Sequence, residues 1–276
     1  MKITPYYSKD DITLYLGDSL EILPQLNDKV NLIVTSPPYF VNREYEDIRK
    51  WGDLLANWQS YFKMLCGIFD GCLNLLEDAG HLWINIDDSH TSLKSELKKN
   101  ITLATHAELI CYLSKKIDYK EMILWKKIRN KHATGGALRM LGSYGRFGSP
   151  GSIPIVQEVE YILWFKKSGT RDIGDELRKL SSLNNEEFKE FGMQIWNVPP
   201  ERKVDHPAPF PLAIPYRCIK LGSFVGDVIL DPFMGSGTTA VACIKTKRKF
   251  IGIERDKGYL DKAVDRIENA KINLFD

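Results

Sequence analysis

Short apolar runs bounded by polar residues recur along the chain, and they constrain its fold more than any other feature. Several read as nearly continuous Val, Ile and Leu, which is typical of strands buried on both faces of a parallel sheet. The runs predict seven strands, near residues 13–16, 30–34, 81–86, 122–125, 161–165, 228–230 and 250–253. Helical segments between them predict a doubly wound, mostly parallel seven-stranded α/β sheet.

Two intervening segments carry their own patterns. Residues 54–76 place large apolar side chains at helical spacing, which indicates a core helix rather than a binding surface. Residues 171–191 are rich in charge and predict a small helical insertion, spanning about 167–197. Its apolar face would consist of Leu177, Leu180, Leu183, Phe188 and Phe191. With 43% hydrophobic residues, the chain of 276 residues can form one domain, residues 1–276, with this insertion inside it.

Two motifs follow predicted strands and carry the chemistry. The first is Ser36-Pro37-Pro38-Tyr39, directly after the run at 30–34, and the second runs from Asp231 to Thr239, after 228–230. Both therefore lie at the carboxyl ends of strands, where open α/β sheets bind their ligands. Alone, the first motif is more typical of an ordinary proline turn, and Gly235-Ser236-Gly237 is equally compatible with a simple helix-entry turn, so the functional interpretation depends on their combination.

The second motif has the character of a ligand-binding loop. Gly235 and Gly237 lack the Cβ atoms that would block a close approach of the backbone, and Thr238 begins a predicted helix. The spacing is not that of a nucleotide-triphosphate loop, and Asp231 would repel a phosphate, so a cationic or amine-bearing ligand fits better. Glu254 follows the next strand, about twenty residues after the first glycine, where a carboxylate can accept hydrogen bonds from both ribose hydroxyls.

Together these residues resemble the amino-group DNA methyltransferases that use S-adenosylmethionine. Further similar features are Leu16-Gly17-Asp18, the strand at 81–87, residues 160–166 and the proline-rich run from His206 to Pro211. The order of catalytic motif, recognition region and cofactor motif is that of the circularly permuted β group of this family. The resemblance implies a Rossmann-like methyltransferase sheet with a small target-recognition insertion, of which residues 171–191 would be part.

The resemblance also implies which residues hold S-adenosylmethionine. Asp18 would contact the adenine amine and Glu254 the ribose, although either could be an exposed acid at a strand end. Asp231 and Phe233 would line the pocket beside the methionine and adenine portions. The backbone of Gly235, Ser236, Gly237, Thr238 and Thr239 would hold the methionine end. His206 and Phe210 would lie nearby, although His206 could equally be structural.

The first motif suits transfer to an exocyclic amine, whose lone pair is delocalised into the base ring. The Ser36 hydroxyl and the Pro37 carbonyl can each accept one amine hydrogen and so aim the lone pair at the methyl group. Pro38 helps to fix that carbonyl, and Tyr39 can stack on the base. A paired base is inaccessible, so the mechanism requires base flipping.

The identity of the target base follows from weaker signals. Methylation at cytosine C5 would use a Pro-Cys nucleophile, and none of the five cysteines follows a proline. In the family, a serine at the first motif position resembles N4-cytosine enzymes, as does the run from His206 to Pro211. We therefore predict N4-cytosine methylation, with N6-adenine as the alternative. An RNA or protein-glutamine methyltransferase, and an inactive DNA-binding module, are more distant alternatives.

The distribution of charge indicates a DNA-contacting segment, although the net charge is only +2. Between Met122 and Gln157 there is no acidic residue, and glycines are frequent. We expect a basic loop over about 128–157 that contacts phosphates, the alternative being a solvated surface loop. The predicted DNA contacts are Lys126, Lys127, Arg129, Lys131, Arg139, Tyr144 and Arg146.

Cysteine spacing and hydropathy bear on the compartment and the partners. The five cysteines form no Cys-x-x-Cys pair and no metal-ligand spacing, which predicts a reduced, cytoplasmic protein without a bound metal. No signal peptide and no membrane-spanning run is expected. The resemblance implies double-stranded DNA as the partner, and it is compatible with a homodimer and with a cognate restriction endonuclease for the same site.

Overall fold

The computed structural model describes residues 3–40, 54–90, 102–127, 157–201 and 211–272. Their main feature is a nine-stranded sheet in the order β1-β2-β11-β10-β3-β4-β8-β7-β9. The strands are β1 (Tyr7–Lys9), β2 (Ile12–Leu16), β3 (Val30–Thr35), β4 (Leu76–Ile86), β7 (Asp118–Lys127), β8 (Val159–Lys166), β9 (Ile195–Val198), β10 (Val228–Asp231) and β11 (Lys249–Glu254). A separate two-stranded ribbon pairs β5 (Ser89–His90) with β6 (Thr102–Leu103).

Eight helices are described, together with a short 3-10 turn at Leu23–Gln25. They are α1 (Ser19–Ile22), α2 (Leu54–Leu75), α3 (Thr105–Leu113), α4 (Asp175–Ser181), α5 (Asn185–Phe191), α6 (Ala213–Gly222), α7 (Thr238–Thr246) and α8 (Lys257–Ile272).

The direction of the strands places both sequence motifs on one side of the sheet, which we call the catalytic side because the sequence predicts the reaction there. The five strands β2, β11, β10, β3 and β4 are parallel, so their carboxyl ends share one edge. β8 runs antiparallel to β4 and to β7, and therefore begins at that same edge. The expected segment 128–157 leaves from the end of β7 and returns to the start of β8, so both its ends lie on this side, while residues 128–156 themselves lie outside the described residues.

Two apolar cores cover the two faces of the sheet, as a doubly wound fold requires. One contains α1, α2 and α3, with Leu65 and Phe69 of α2 fully buried. The other contains α6, α7 and α8, with Ile214 and Leu260 fully buried. The predicted fold class and all seven predicted strands are confirmed, and residues 54–75 form the predicted core helix.

The structure adds two edge strands and corrects one helical detail. β1 and β9 are short strands at the two edges, where alternation with exposed residues weakens the apolar signal. Within the segment 167–197 the structure has two short helices, α4 and α5, and α5 begins with a capping box between Asn184 and Glu187. The predicted apolar face of this segment is wrong in part, because Leu180 and Phe188 are 63% and 71% exposed and only Phe191 is buried.

The first half of the insertion lies at the far end of the sheet from the catalytic side. β8 ends at Lys166 opposite His81, and Arg171 then pairs with Asp227, which precedes β10. The Ser181 hydroxyl accepts a hydrogen bond from the Val225 backbone at the same end. This placement gives no support to a role of α4 in reading the target. No helix within the described ranges is long and apolar enough to cross a membrane.

Candidate active site

Four adjacent strands bring both sequence motifs to one edge. In the order β2, β11, β10 and β3, their carboxyl ends carry Asp18, Glu254, Asp231 and Ser36. Thr35 and Asp231, which are 196 positions apart in the chain, thus become neighbours, because parallel pairing aligns the ends of the strands.

Asp231 joins the two motifs. Its side chain is 3% exposed and accepts hydrogen bonds from the Thr35 hydroxyl at 2.6 Å and from the Thr239 hydroxyl at 2.6 Å. The Phe233 backbone N–H donates a third at 3.0 Å. Burial raises the pKa of Asp231 to about 6, against the lowering effect of these bonds. The carboxylate therefore fixes the position of the glycine loop relative to Thr35, the residue before Ser36. This structural role is additional to the contact with the cofactor that the sequence predicts for Asp231.

The glycine loop turns sharply and rests on Glu254. Gly235 and Gly237 have φ values of 55° and 80°, in the left-handed region that favours glycine. The Glu254 carboxylate accepts a hydrogen bond from the Gly235 N–H at 2.8 Å, and burial raises the pKa of this carboxyl. A Cβ at position 237 would lie 2.9 Å from the Ala263 Cβ, so this glycine also permits α7 to pack against α8.

Two hydroxyls of the loop are engaged by α8. Arg266 of that helix donates to the Ser236 hydroxyl and carbonyl at 2.8 and 2.9 Å, and to the Thr238 hydroxyl at 3.2 Å. Sequence reasoning missed Arg266, which carries no local signal because it lies within an ordinary amphipathic helix. Asp18 is exposed and caps α1 by accepting from the Leu20 N–H at 2.8 Å. His206 and Phe210 lie outside the described residues.

The Ser36–Tyr39 corner is held by a polar cluster that we call the Tyr39 anchor: Asn85 of β4, Lys127 of β7 and Glu160 of β8. The Tyr39 hydroxyl donates to Glu160 at 2.7 Å, and the Asn85 amide donates to the Tyr39 hydroxyl at 2.8 Å and to Glu160 at 2.9 Å. Lys127 forms an ion pair with Glu160. Tyr39 is only 7% exposed, and burial followed by the charge of Glu160 raises its pKa.

Ser36 is half-buried next to this anchor, with its hydroxyl 3.4 Å from the Asn85 amide nitrogen, and Pro37 is buried. Asp87 lies near the same cluster, and burial, together with the charge of Glu160, raises its pKa to about 6. Asn85, Asp87 and Glu160 were not among the predicted site residues. In the sequence, each is a polar side chain near a strand end, beside apolar residues. This pattern points to a common site only once the order of the strands is known.

The two predicted DNA contacts that the structure describes differ from each other. Lys126 is exposed at the end of β7, as a phosphate contact requires, whereas Lys127 is directed to Glu160 and is 20% exposed at its side chain. The ammonium of Lys127 also lies 5.5 Å from the centre of the Trp125 ring. The remaining predicted contacts lie outside the described residues, namely Arg129, Lys131, Arg139, Tyr144 and Arg146.

The residues around the glycine loop fit S-adenosylmethionine. Three carboxylates, Asp18, Asp231 and Glu254, lie at adjacent strand ends, and such groups suit a ligand with cationic centres and ribose hydroxyls. The half-buried Phe233 adds an aromatic ring beside them. Within the described ranges, no cluster of three His, Cys, Asp or Glu side chains could hold a metal ion.

Comparison with known proteins agrees with this geometry. Residues 30–265 match the family model of N6/N4 methyltransferases, described as DNA methylase. The chain is 31% identical to the type II methyltransferase M.MjaI of Methanocaldococcus jannaschii over 95% of this chain and 91% of the relative. It is 29% identical to M.BglI of Bacillus subtilis over 93% and 86%, respectively.

Solved structures show the same architecture. The putative DNA modification methylase TTHA0409 from Thermus thermophilus, in complex with S-adenosyl-L-methionine, is 30% identical with a TM-score of 0.76, and the match covers 93% of each chain. The cytosine-N4-specific PvuII DNA methyltransferase has a TM-score of 0.68 at 17% identity, covering 97% of this chain and 94% of that one, which supports the fold alone.

Fold and site together define a methyltransferase that uses S-adenosylmethionine. The chain belongs to the N6/N4 DNA methylase family. It is an amino-group DNA methyltransferase of the restriction-modification type.

Proposed function

We propose that the protein methylates the N4 amine of a cytosine flipped out of duplex DNA, as the modification enzyme of a restriction-modification system. The main structural support for the proposed site is the 2.6 Å hydrogen bond that the Thr35 hydroxyl donates to Asp231. It joins the residue before Ser36 to the first residue of the glycine loop. An amine held at one motif and a methyl donor held at the other would therefore meet at one point of the sheet edge.

The chain's own residues would bind and orient both partners. S-adenosylmethionine supplies an electrophilic methyl group on a sulfonium centre. The ribose and the adenine would be held by Glu254, Asp18 and Phe233. The glycine loop would hold the methionine end through its backbone, because the Ser236 and Thr238 hydroxyls are bonded to Arg266.

At the other motif, Ser36 and Pro37 would accept the two amine hydrogens, which draws the lone pair out of conjugation with the base. The half-buried position of Ser36 at the end of β3 leaves it accessible from the catalytic side. Positioning of this kind requires a rigid turn, and the two prolines together with the anchored Tyr39 hydroxyl provide one.

Cytosine is favoured over adenine by the serine at position 36 and by the proline-rich run from His206 to Pro211. N6-adenine methylation is the alternative, and RNA or a protein glutamine is a more remote substrate. The proposal includes DNA contacts by Lys126 and the basic segment 128–157, a homodimer, and a cognate endonuclease that cleaves the same unmodified site.

The test is mass spectrometry of nucleosides from DNA incubated with the purified protein and isotope-labelled S-adenosylmethionine. We expect label in the deoxynucleoside of N4-methylcytosine, and labelling at least about 100-fold slower with Ser36→Ala as the control. Label in N6-methyladenine would assign the alternative base. If DNA stays unlabelled while RNA or protein acquires label, the proposed substrate is wrong.

A further inference from the structure

The Tyr39 anchor lies outside both sequence motifs and joins three strands to the catalytic corner. Glu160 is 5% exposed, and the hydroxyl of Tyr39 and the amide of Asn85 are both within 2.9 Å of its Oε2 atom. Its other oxygen, Oε1, pairs with the ammonium of Lys127. Both oxygens of this carboxylate are therefore bonded to partners from different elements.

A buried carboxylate of this kind is costly to maintain for stability alone. Removing a charge from water costs several kcal/mol, and well-packed apolar residues often stabilise a core equally well. An ionised carboxylate is, however, a strong hydrogen-bond acceptor that fixes the direction of a hydroxyl and an amide. The arrangement is therefore better explained by the geometry it imposes on Tyr39 than by its contribution to folding.

The anchor also reaches Ser36. The amide nitrogen of Asn85 lies 3.4 Å from the Ser36 hydroxyl and 2.8 Å from the Tyr39 hydroxyl, so a single side chain touches both ends of the motif. Glu160 sets the orientation of the Asn85 amide. A carboxylate only accepts hydrogen bonds, so the NH₂ group of the amide must face it. Glu160 thereby determines which atom Asn85 presents to Ser36.

Large aromatic side chains lie next to the anchor residues along their strands, on the same face of the sheet. Trp83 and Trp125 lie two residues before Asn85 and Lys127 on their strands, and side chains two apart share a face. Trp83 stacks on Trp164 at a centroid distance of 5.1 Å and an interplanar angle of 7°. The anchor residues are thus carried by strands whose neighbouring side chains are stacked, as is expected of residues that position a catalytic group.

We propose that Glu160 is a positioning residue for methyl transfer, which holds the catalytic corner through the Tyr39 hydroxyl and the Asn85 amide while Lys127 compensates its charge. The inference rests on the proposed role of Ser36–Tyr39. It also reassigns Lys127, because an ammonium engaged by a buried carboxylate is a member of the anchor rather than a phosphate contact.

The inference is tested by a double-mutant cycle in which kcat is measured for two single variants and for the double variant. Tyr39→Phe removes only the hydroxyl, and Glu160→Gln removes the charge with little change in shape. We expect each to lower kcat about 10- to 100-fold, the range for a lost hydrogen bond to a charged group. The Kd for S-adenosylmethionine should stay unchanged. The double variant should lose no more than one single variant, because both changes break the same link.

Asp227→Asn is the matched control. Asp227 is also a buried carboxylate, 3% exposed and paired with Arg171, but it lies at the opposite end of the sheet. The Asp227→Asn substitution should lower the melting temperature without changing kcat. Unchanged kcat in Glu160→Gln, or losses that multiply in the double variant, would overturn the inference. If Ser36→Ala also keeps full turnover, the proposed catalytic role of Ser36–Tyr39 is itself wrong. The Ser36→Ala variant thus distinguishes a failure of the proposed function from a failure of the role proposed for Glu160.

Lys127 provides an independent readout through the salt dependence of DNA binding. Lys127→Met should lower kcat while leaving unchanged the slope of log affinity against log salt, since no phosphate contact is lost. A slope reduced by about 1, with normal kcat, would instead assign the ammonium to a phosphate.

Discussion

The carboxyl group of Asp231 is buried and accepts three hydrogen bonds. Its three donors come from β3, the loop and α7, so its ionisation is coupled to the positions of all three. Burial raises its pKa to about 6 in the folded protein, whereas an unfolded aspartate titrates near 3.9. The folded state thus binds this proton more tightly than the unfolded state does.

The pKa difference predicts how stability depends on pH. The contribution of Asp231 should be fully present below about pH 3.9 and should be lost as the pH rises through about 6. We expect the free energy of unfolding of the native protein, relative to Asp231→Asn, to fall by up to about 3 kcal/mol over this window. Urea unfolding of both proteins at several pH values measures the difference, and a difference that stays constant with pH would refute this account of the buried carboxyl.

The same residue shows what the sequence could not reveal. The place of Asp231 at the head of the glycine loop predicts a residue of the cofactor pocket, and this stays a prediction. Its bond to Thr35 depends on the pairing of β10 with β3, and no local pattern contains that information. Glu160 illustrates the same limit, because it meets Tyr39 only once β4 and β8 have been placed in order.

At the scale of elements, the junction of the glycine loop with α7 depends on Gly237. An alanine there would adopt a left-handed conformation at a cost of about 1–2 kcal/mol, and its Cβ would approach Ala263 to 2.9 Å. We expect Gly237→Ala to lower the melting temperature and to weaken binding of S-adenosylmethionine, because the loop must shift. Calorimetry of unfolding and of binding measures both effects.

Gly174 offers the matched control for that substitution. It caps α4 with a φ of −62°, and nothing lies within 4 Å of the position that a Cβ would occupy. Gly174→Ala should therefore leave cofactor affinity unchanged and lower stability only through the poorer N-cap that alanine provides, by about 0.5–1 kcal/mol. Equal effects of the two substitutions would show that the left-handed turn and the contact with α8 are not what matters at position 237.

Elements were predictable where burial imposed a pattern. β3 and β10 are apolar because both faces of the sheet are covered, so their sequences identify them. β1 is three residues long and half exposed, and no apolar run marks it. In α5 the large side chain of Phe188 predicts a buried face, yet Phe188 is exposed to solvent. The reason is that α5 packs on α6 mainly through Phe191 and its acidic residues.

At the scale of the whole molecule, the fold places two motifs that are distant in the sequence on one edge of the sheet. The permuted order of the motifs has no effect on this geometry, because a parallel sheet aligns its strand ends whatever their order in the chain. Lys126 and both ends of the segment 128–157 lie on the same side. Under the proposed function, DNA would bind on this side and present a flipped base to Ser36.

The most direct test of this account is the single-turnover rate of methyl transfer by Ser36→Ala, with S-adenosylmethionine saturating and duplex DNA containing the target. We predict a rate at least about 100-fold below that of the native protein, since the amine would lose one of its two acceptors. Cofactor and DNA affinities should be retained. A rate equal to that of the native protein would show that the chemistry takes place elsewhere.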